Sequence, residues 1–121
     1  MCRRWGGEYV MKKLGKTNLL VSNMGLGCMS MSEFYGDPIS NEQAIHLFKV
    51  ALNNGVNFFD TADIYGYGRN ELLIGKSLSA LIADKIDRNK IIIATKCGII
   101  RSESITKILF KFSNSFDLKD W

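Results

Sequence analysis

The stretch Val56-Asn-Phe-Phe-Asp60-Thr-Ala-Asp-Ile-Tyr65-Gly66 decides the fold of this chain, together with the later run Ile91-Ile-Ile-Ala-Thr-Lys96. Each begins as an apolar strand and then reaches an ionisable residue, Asp60 in the first and Lys96 in the second. Parallel strands covered by helices are apolar along most of their length, and polar groups gather where the strands end. If the two strands are neighbours, the carboxylate and the ammonium face each other, with Tyr65 on the loop between them.

The order of elements around these strands predicts an α/β fold. Two short apolar runs flank the turn-rich segment Gly15-Lys-Thr-Asn18 and predict a hairpin. A short strand over 24–28 and a loop over 30–38 follow, and then helices and strands alternate. The resulting order is a hairpin followed by β-α-β-α-β, which predicts a parallel sheet with right-handed crossovers. Both a doubly wound sheet and a (β/α)8 barrel begin in this way.

Two segments have helical periodicity. In the first, Ser40-Asn-Glu-Gln43 has the spacing of a capping box, apolar residues recur at Ile45, Phe48 and Leu52, and Asn54-Gly55 provides the stop. The second helix is predicted over about 69–84, with Gly75 permitting close packing. Its predicted apolar side consists of Leu73, Ile74, Leu78, Leu81 and Ile82.

Composition and charge exclude several classes of protein. The 121 residues are 46% hydrophobic and 23% charged with one proline, which is typical of a single globular domain. The net charge of +4 is dispersed toward the two ends and forms no basic block with interleaved aromatics, so nucleic-acid binding is not indicated. No apolar run approaches the ~18 residues of a membrane span, and the first residues lack a secretion signal. We expect a cytoplasmic protein.

Cysteine and histidine usage argues against a metal site. Cys2, Cys28 and Cys97 have no C-x-x-C spacing, which indicates reduced, intracellular thiols. The simpler interpretation of Cys28 and Cys97 is that they are small buried residues, and the alternative is that both line one pocket. His46, the only histidine, falls on the more polar side of the first helix and is predicted to be solvated. With one histidine and no clustered thiols, we expect no bound metal.

The glycines and methionines of the first parallel strand leave two interpretations open. Gly25-Leu-Gly27 is half of a G-x-G-x-x-G dinucleotide motif, but the third glycine and the following helix are missing, which argues against a Rossmann fold. Close approach of a ligand to these two glycines remains an option. Met24, Met29 and Met31 either form an adaptable apolar wall for a substrate or pack in the core.

Asp60, Tyr65 and Lys96 have a structural and a chemical interpretation. The structural one is an ion pair beside an unrelated surface tyrosine. The chemical one starts from the weakness of a phenol as an acid, with an ordinary pKa of ~10. A nearby ammonium favours the ionised phenol, and a carboxylate keeps that ammonium charged and in place. Such a trio suits the donation of a proton to a carbonyl oxygen while hydride arrives at the carbonyl carbon.

The motifs in combination resemble those of the aldo-keto reductases. They are Gly25-Leu-Gly-Cys-Met-Ser-Met-Ser-Glu-Phe-Tyr-Gly36, Phe58-Phe-Asp-Thr-Ala-Asp-Ile-Tyr-Gly66 and Ile93-Ala-Thr-Lys-Cys-Gly-Ile99. The loop 29–36 is most similar to a plant and microbial branch that includes perakine-type reductases and auxin-induced-like proteins. The resemblance covers about Met11 to Arg101. It implies a (β/α)8 TIM barrel with an N-terminal hairpin at its base, NADPH bound without a Rossmann fold, and a small carbonyl substrate.

The resemblance also implies roles for individual residues. Tyr65 corresponds to the general acid, Lys96 to the residue that makes the phenol a stronger acid, and Asp60 to the partner of the lysine. The residues implied to contact the cofactor are Gly27, Cys28, Met29, Asp60 and Lys96. The family's fourth catalytic residue, a histidine that ends the next strand, has no counterpart, and His46 lies upstream of that position.

The length of the chain predicts an incomplete barrel. A full barrel takes ~250 residues, whereas this sequence provides the hairpin and about three βα units. We expect a leader over 1–10, a truncated barrel over 11–101 and a divergent tail over 102–121. Two functions follow as hypotheses: an NADPH-dependent reductase, or a catalytically inactive fragment or interaction module that retains the first third of the fold. An open parallel sheet exposes an unpaired edge, which predicts self-association.

Overall fold

The structure is a computed structural model, and it describes residues 10–99. The hairpin lies at the start of this range. Strand β1, Met11–Lys13, pairs antiparallel with strand β2, Leu20–Ser22, and Lys12 lies opposite Val21. The predicted hairpin is therefore confirmed. The predicted leader, apart from Val10, and the predicted tail lie outside the described residues.

Three parallel strands form the second sheet. They are β3 (Leu26–Gly27), β4 (Phe58–Asp60) and β5 (Ile92–Ala94), in the spatial order β3-β4-β5. The register places Gly27, Asp60 and Ala94 side by side. Because these three residues end their strands, the carboxyl ends of the sheet lie level with one another. Polar residues that follow these strands therefore emerge at one edge.

Helix α1, Asn41–Asn53, connects β3 to β4 and begins at the predicted capping box. The Ser40 hydroxyl accepts a hydrogen bond from the Gln43 N–H at 3.2 Å, and the Gln43 side-chain oxygen accepts one from the Ser40 N–H at 2.8 Å. The helix ends at Asn54, and Gly55 follows with φ +77°, a left-handed conformation that favours glycine. Both predicted ends are confirmed.

Helix α2, Arg69–Ala83, connects β4 to β5 and corrects two predictions. Ile74, Leu78 and Leu81 are buried as predicted, but Ile82 is 42% exposed. Successive helical residues point about 100° apart, so the residue after buried Leu81 turns away from the core. Gly75 is exposed, and nothing lies within 4 Å of the position that a Cβ would occupy. The prediction that Gly75 permits close packing was wrong.

The core lies between the two helices and the three-stranded sheet. Phe48 of α1 and Phe59 of β4 are both completely buried, and their ring centroids lie 4.6 Å apart. Burial of one large apolar side chain stabilises a fold by about 1.5–3 kcal/mol, so this pair fixes α1 against the central strand. The other buried members of the cluster are Cys28, Met31, Ala44, Ile74, Leu78, Leu81 and Ile91.

The hairpin is attached at the amino end of β4. The Asn57 side-chain oxygen accepts the Ser22 N–H at 2.7 Å, and its amide nitrogen donates to the Leu20 carbonyl at 2.9 Å. The Asn57 N–H in turn donates to the Ser22 hydroxyl at 3.1 Å. The hairpin therefore lies at the end of the sheet opposite to Asp60. Within residues 10–99, neither helix is long and apolar enough to cross a membrane.

Candidate active site

Asp60 and Lys96 form an ion pair at the carboxyl edge of the sheet. The Lys96 ammonium nitrogen lies 2.8 Å from Asp60 Oδ2 and 2.7 Å from the Thr61 carbonyl oxygen, and it donates to both. Asp60 ends β4 and Lys96 lies two residues beyond β5, so the parallel register brings the two side chains together. The predicted pairing is confirmed. About half of each side chain is exposed, 49% for Lys96 and 46% for Asp60, which leaves the pair accessible.

Tyr65 joins the pair from the loop after β4. The Lys96 ammonium nitrogen lies 5.2 Å from the centroid of the Tyr65 ring, within the range of a cation–π contact. Tyr65 begins a short turn, Tyr65–Gly68, directly before α2 and is half-buried. The structure therefore brings together the three side chains that the sequence singled out. Their catalytic roles stay predictions.

Two opposing influences act on the ammonium of Lys96. Partial burial lowers its pKa, because a charged group loses hydration. The hydrogen bond to Asp60 and the charge of Asp60 act in the opposite direction and prevail, and Tyr65 adds to them. The net result is a raised pKa for Lys96. The ammonium is therefore charged at neutral pH.

The loop that holds Tyr65 depends on backbone conformations that favour glycine. Gly66, Tyr67 and Gly68 have φ values of +56°, +55° and +84°, so three consecutive residues are left-handed. A Cβ at Gly66 would lie 3.0 Å from both Cβ and Oγ of Ser32. Gly66 therefore lets the chain pass close to the Ser32 side chain before it enters α2. The Gly-Tyr-Gly spacing after Tyr65 was a signal for such a turn that sequence reasoning did not use.

A buried polar network lies beneath the ion pair and was missed by sequence reasoning. The Asn70 amide nitrogen donates to the Cys28 carbonyl at 2.7 Å and to the Ser32 hydroxyl at 2.8 Å. The Asn70 oxygen accepts the Thr61 hydroxyl at 2.6 Å. Asn70 is 0% exposed and Thr61 1% exposed. Among the described residues no buried side-chain polar atom lacks a partner, so burial of this network leaves no uncompensated group.

Gly27 lies in β3 and Gly25 directly precedes that strand, and the two glycines have different surroundings. A Cβ at Gly25 would lie 2.8 Å from Cδ1 of Phe58 and 3.2 Å from its carbonyl oxygen, so the close approach at Gly25 is to the chain itself. Gly27 has nothing within 4 Å of the corresponding position and lies beside Asp60 in the register. Gly27 therefore leaves open space next to Asp60 of the ion pair.

The sulfur-containing residues near β3 have different surroundings. Cys28 is completely buried, as the simpler interpretation predicted, and burial raises the pKa of its thiol to about 11. Met31 is buried in the core, Met29 is half-buried, and Met24 is 72% exposed. Core packing is thus confirmed for Met31. The three methionines do not share one environment.

Cys97 corrects the prediction that both cysteines are buried. It is exposed, because it lies beyond the end of β5 where no described element covers it. It lines a small cavity of about 70 Å³ next to Tyr65 and Lys96. Cys28 is completely buried and does not line that cavity, so the two thiols do not share it.

Two further predictions concern regions away from this edge. His46 is exposed on α1, as predicted. Between residues 10 and 99, no group of three or more histidine, cysteine, aspartate or glutamate side chains could hold a metal ion. A larger cavity of about 740 Å³ lies at the opposite end of the sheet, lined by both hairpin strands and by residues between 85 and 92. None of Asp60, Tyr65 and Lys96 lines it, so its size does not make it the reacting centre.

The sequence matches the model of the Aldo/keto reductase family over residues 23–117. This chain belongs to the aldo/keto reductase family. The match includes the whole carboxyl edge with Asp60, Tyr65 and Lys96. It also extends beyond Arg101, where the resemblance was predicted to end, into residues whose structure is not described.

Individual relatives support the assignment. A protein of Glycine max named "Probable aldo-keto reductase 1" is 47% identical over 87 residues, which are 72% of this chain and 24% of that protein. The holo form of an aldo-keto reductase from Bacillus halodurans has a TM-score of 0.66 at 32% identity, covering 85% of this chain and 30% of that one. The structure of a glycerol dehydrogenase from Gluconobacter oxydans has a TM-score of 0.57 at 26% identity, covering 74% and 26%.

The chain covers only part of each of these relatives. The chain spans about a quarter of the length of its soybean relative and 30% of the Bacillus structure. The hairpin, three parallel strands and two helices are the first part of a (β/α)8 TIM barrel. In such barrels the reacting groups lie at the carboxyl ends of the strands, which is where Asp60, Tyr65 and Lys96 meet.

Proposed function

We propose that this chain carries the proton-donating part of an NADPH-dependent aldo-keto reductase, which converts an aldehyde or ketone to an alcohol. The observation that carries the proposal is the position of the Lys96 ammonium. It is 2.8 Å from Asp60 Oδ2 and 5.2 Å from the centroid of the Tyr65 ring. This arrangement suits proton transfer from the phenol to a carbonyl oxygen.

The three side chains divide the work of donating a proton. Asp60 holds the ammonium in place, and the ammonium stabilises the negative charge that develops on the Tyr65 oxygen as its proton leaves. NADPH, when bound, supplies the hydride that is added to the carbonyl carbon. The electron pair of the C=O bond moves to the oxygen, which takes the proton of Tyr65 and becomes the alcohol hydroxyl. Solvent returns a proton to the phenolate.

The residues at this edge fit one end of an NADPH molecule. Gly27 leaves open space beside Asp60, and Met29 is half-buried at the start of the next turn. Cys28 lies between them with its thiol in the core, its N–H bonded to the Asp60 carbonyl and its carbonyl bonded to Asn70. We propose that Gly27, Met29, Asp60 and Lys96 contact the cofactor and that Cys28 contributes only the backbone that shapes this surface.

Substitution of the phenol tests the proposal. The full chain and its Tyr65→Phe variant are incubated with NADPH and a small aromatic aldehyde, and loss of NADPH absorbance is followed. We expect kcat to fall by about a hundredfold or more, because a positioned general acid contributes that much. NADPH binding, measured by quenching of its fluorescence, should change little because the ring remains.

A second tyrosine provides the control. Tyr35 is 76% exposed, and Tyr35→Phe should retain the wild-type kcat. Equal loss in both variants would show that the phenol of Tyr65 has no special role. Steady turnover by Tyr65→Phe at the wild-type rate would refute the assignment of the acid.

One observation favours a second candidate, a catalytically inactive fragment or interaction module. Among the described residues, β3 and β5 each pair with β4 alone, so each presents an unpaired edge. Such edges pair with other chains, so a module that binds through its sheet would be oligomeric in sedimentation and would not quench NADPH fluorescence. The reductase proposal predicts quenching. The reductase proposal includes three further expectations. They are a small carbonyl substrate, no binding of nucleic acid, and a cytoplasmic location.

A further inference from the structure

We propose that the first turn of α2 positions the Lys96 ammonium, through two neighbouring residues that we name the α2 clamp, Asn70 and Glu71. The chemical consequence rests on the proposed function, whereas the geometric argument does not. The side-chain hydrogen bonds of these two residues go to Thr61, Cys28, Ser32 and Thr95. Each bonds to a threonine that adjoins one partner of the ion pair in sequence: Thr61 follows Asp60, and Thr95 precedes Lys96.

Thr61 is the link between Asn70 and the ammonium. Its carbonyl accepts a hydrogen bond from Lys96 at 2.7 Å, its N–H donates to the Ala94 carbonyl at 2.8 Å, and its hydroxyl donates to Asn70 at 2.6 Å. The Thr61 carbonyl thus accepts from the Lys96 ammonium together with Asp60 Oδ2. The direction of the Thr61 peptide group therefore contributes directly to the position of the charge.

Asn70 is held in one orientation by its partners. Its nitrogen donates to the Cys28 carbonyl and to the Ser32 hydroxyl, which leaves the amide oxygen to face the Thr61 hydroxyl. A carbonyl only accepts hydrogen bonds, so a flipped amide would place two oxygens against each other. Because Asn70 is 0% exposed, loss of one of its partners leaves a buried polar group out of reach of bulk solvent. Thr61 is thus fixed by a residue that cannot rotate.

Glu71 acts on the neighbouring strand. Its carboxylate accepts a hydrogen bond from the Thr95 hydroxyl at 2.5 Å. Consecutive residues of one helical turn therefore hold the ends of β4 and β5, and these are the strands that carry the two partners of the ion pair. The α2 clamp therefore adds one side-chain hydrogen bond at each strand end to the hydrogen bonds of the sheet.

The experiment removes the buried hydroxyl and then restores it. Thr61→Val has nearly the shape of threonine but cannot bond to Asn70, whereas Thr61→Ser keeps the hydroxyl. Ser77→Ala is the control. Ser77 is equally buried on α2, two turns away from Asn70, and its hydroxyl donates to the Leu73 carbonyl within the same helix. Melting temperatures of all variants report their stability.

The first readout does not require activity. The full-length variants are labelled with acetic anhydride over a range of pH, and acetylation of Lys96 is quantified by mass spectrometry. We expect Thr61→Val to be acetylated about two- to tenfold faster than wild type, the factor that corresponds to one net hydrogen bond. Thr61→Ser and Ser77→Ala should match wild type.

The second readout is the reductase reaction. Thr61→Val should lower kcat by about tenfold or more, since displacement of a reacting group by a fraction of an ångström has effects of this order. KM should change little, and Thr61→Ser should restore kcat. If the wild-type chain has no turnover, the proposed function fails, while the acetylation rates still decide whether the clamp positions Lys96.

Two outcomes would overturn the proposal. One is equal acetylation of Lys96 in Thr61→Val and wild type. The other is an equal increase in Ser77→Ala, which would attribute the effect to general loosening of the fold. If Thr61→Val does not fold, Thr95→Val replaces it, because Thr95 is exposed and its bond to Glu71 belongs to the same clamp. Unchanged acetylation in that variant would equally refute the clamp.

Discussion

Ser22 and Asn57 each donate a backbone N–H to the other's side chain, across 35 positions of sequence. Asn57 also donates its side-chain amide to the Leu20 carbonyl. Asn57, which directly precedes β4, therefore supplies hydrogen-bond partners both for the backbone at the end of β2 and, through its own N–H, for the Ser22 side chain. Asn57 is 9% exposed, so these bonds are made largely out of contact with water. This exchange fixes the hairpin to the base of the parallel sheet.

Loss of the Asn57 side chain should detach the hairpin. We expect Asn57→Ala to lower the free energy of unfolding by about 1–3 kcal/mol, because the Ser22 N–H and the Leu20 carbonyl lose their partner. Urea unfolding followed by circular dichroism measures the difference. Asn89→Ala, at an exposed position before β5, should change stability by less than about 0.5 kcal/mol. Equal effects of the two substitutions would contradict the role of Asn57.

Two glycines in and near α2 should respond to alanine in opposite directions. Gly66→Ala forces a Cβ into a left-handed conformation and toward Ser32, so we expect destabilisation by about 1–2 kcal/mol. Gly75→Ala meets open space on the exposed side of the helix and should stabilise the chain by about 0.5–1 kcal/mol. Thermal and urea unfolding of both variants test this pair, and destabilisation by Gly75→Ala would contradict it.

Stability should fall at alkaline pH because of Cys28. Burial raises the pKa of its thiol from 9.0 to about 11, so the folded state keeps a proton that the unfolded state releases. The resulting stabilisation is complete below pH 9 and is lost as the pH rises through 11. The loss proceeds by at most about 1.4 kcal/mol per pH unit. The raised pKa of Lys96 has the same sign, but its effect begins only above the ordinary lysine pKa of 10.5.

Urea unfolding between pH 8 and 11 measures this dependence. A Cys28→Ala variant should be less stable at neutral pH because it leaves a cavity, but its stability should decline less between pH 9 and 10.5. An unchanged slope in that variant would show that another group controls the alkaline transition.

The two cysteines of the described region should differ in their reactivity. In a Cys2→Ser background, Ellman's reagent should modify Cys97 rapidly, because it is exposed, and Cys28 only after unfolding, because it is buried with a raised pKa. Absorbance of the released thiolate follows both steps. A Cys97→Ser substitution should abolish the rapid step. A rapid reaction that survives this substitution would show that Cys28 is accessible.

Local features of the fold could be predicted because their causes are local. The capping box at Ser40, the stop at Asn54-Gly55 and the hairpin all depend on residues within a few positions of one another. The pairing of Asp60 with Lys96 could also be predicted, because the carboxyl ends of adjacent parallel strands meet at one edge. The burial of individual residues was less predictable: Ile82 and Cys97 are apolar but exposed.

The sequence by itself determined the family, the order of the elements and the three side chains at the carboxyl edge. These depend on apolar periodicity, turn residues and motif spacing, which are properties of short segments. Only the tertiary structure decided that Asn70 and Thr61 form a buried network under Lys96, and that Gly66 passes beside Ser32. Such contacts join residues far apart in sequence, and the hydrogen bonds and close approaches that fix them exist only once the strands and helices have packed.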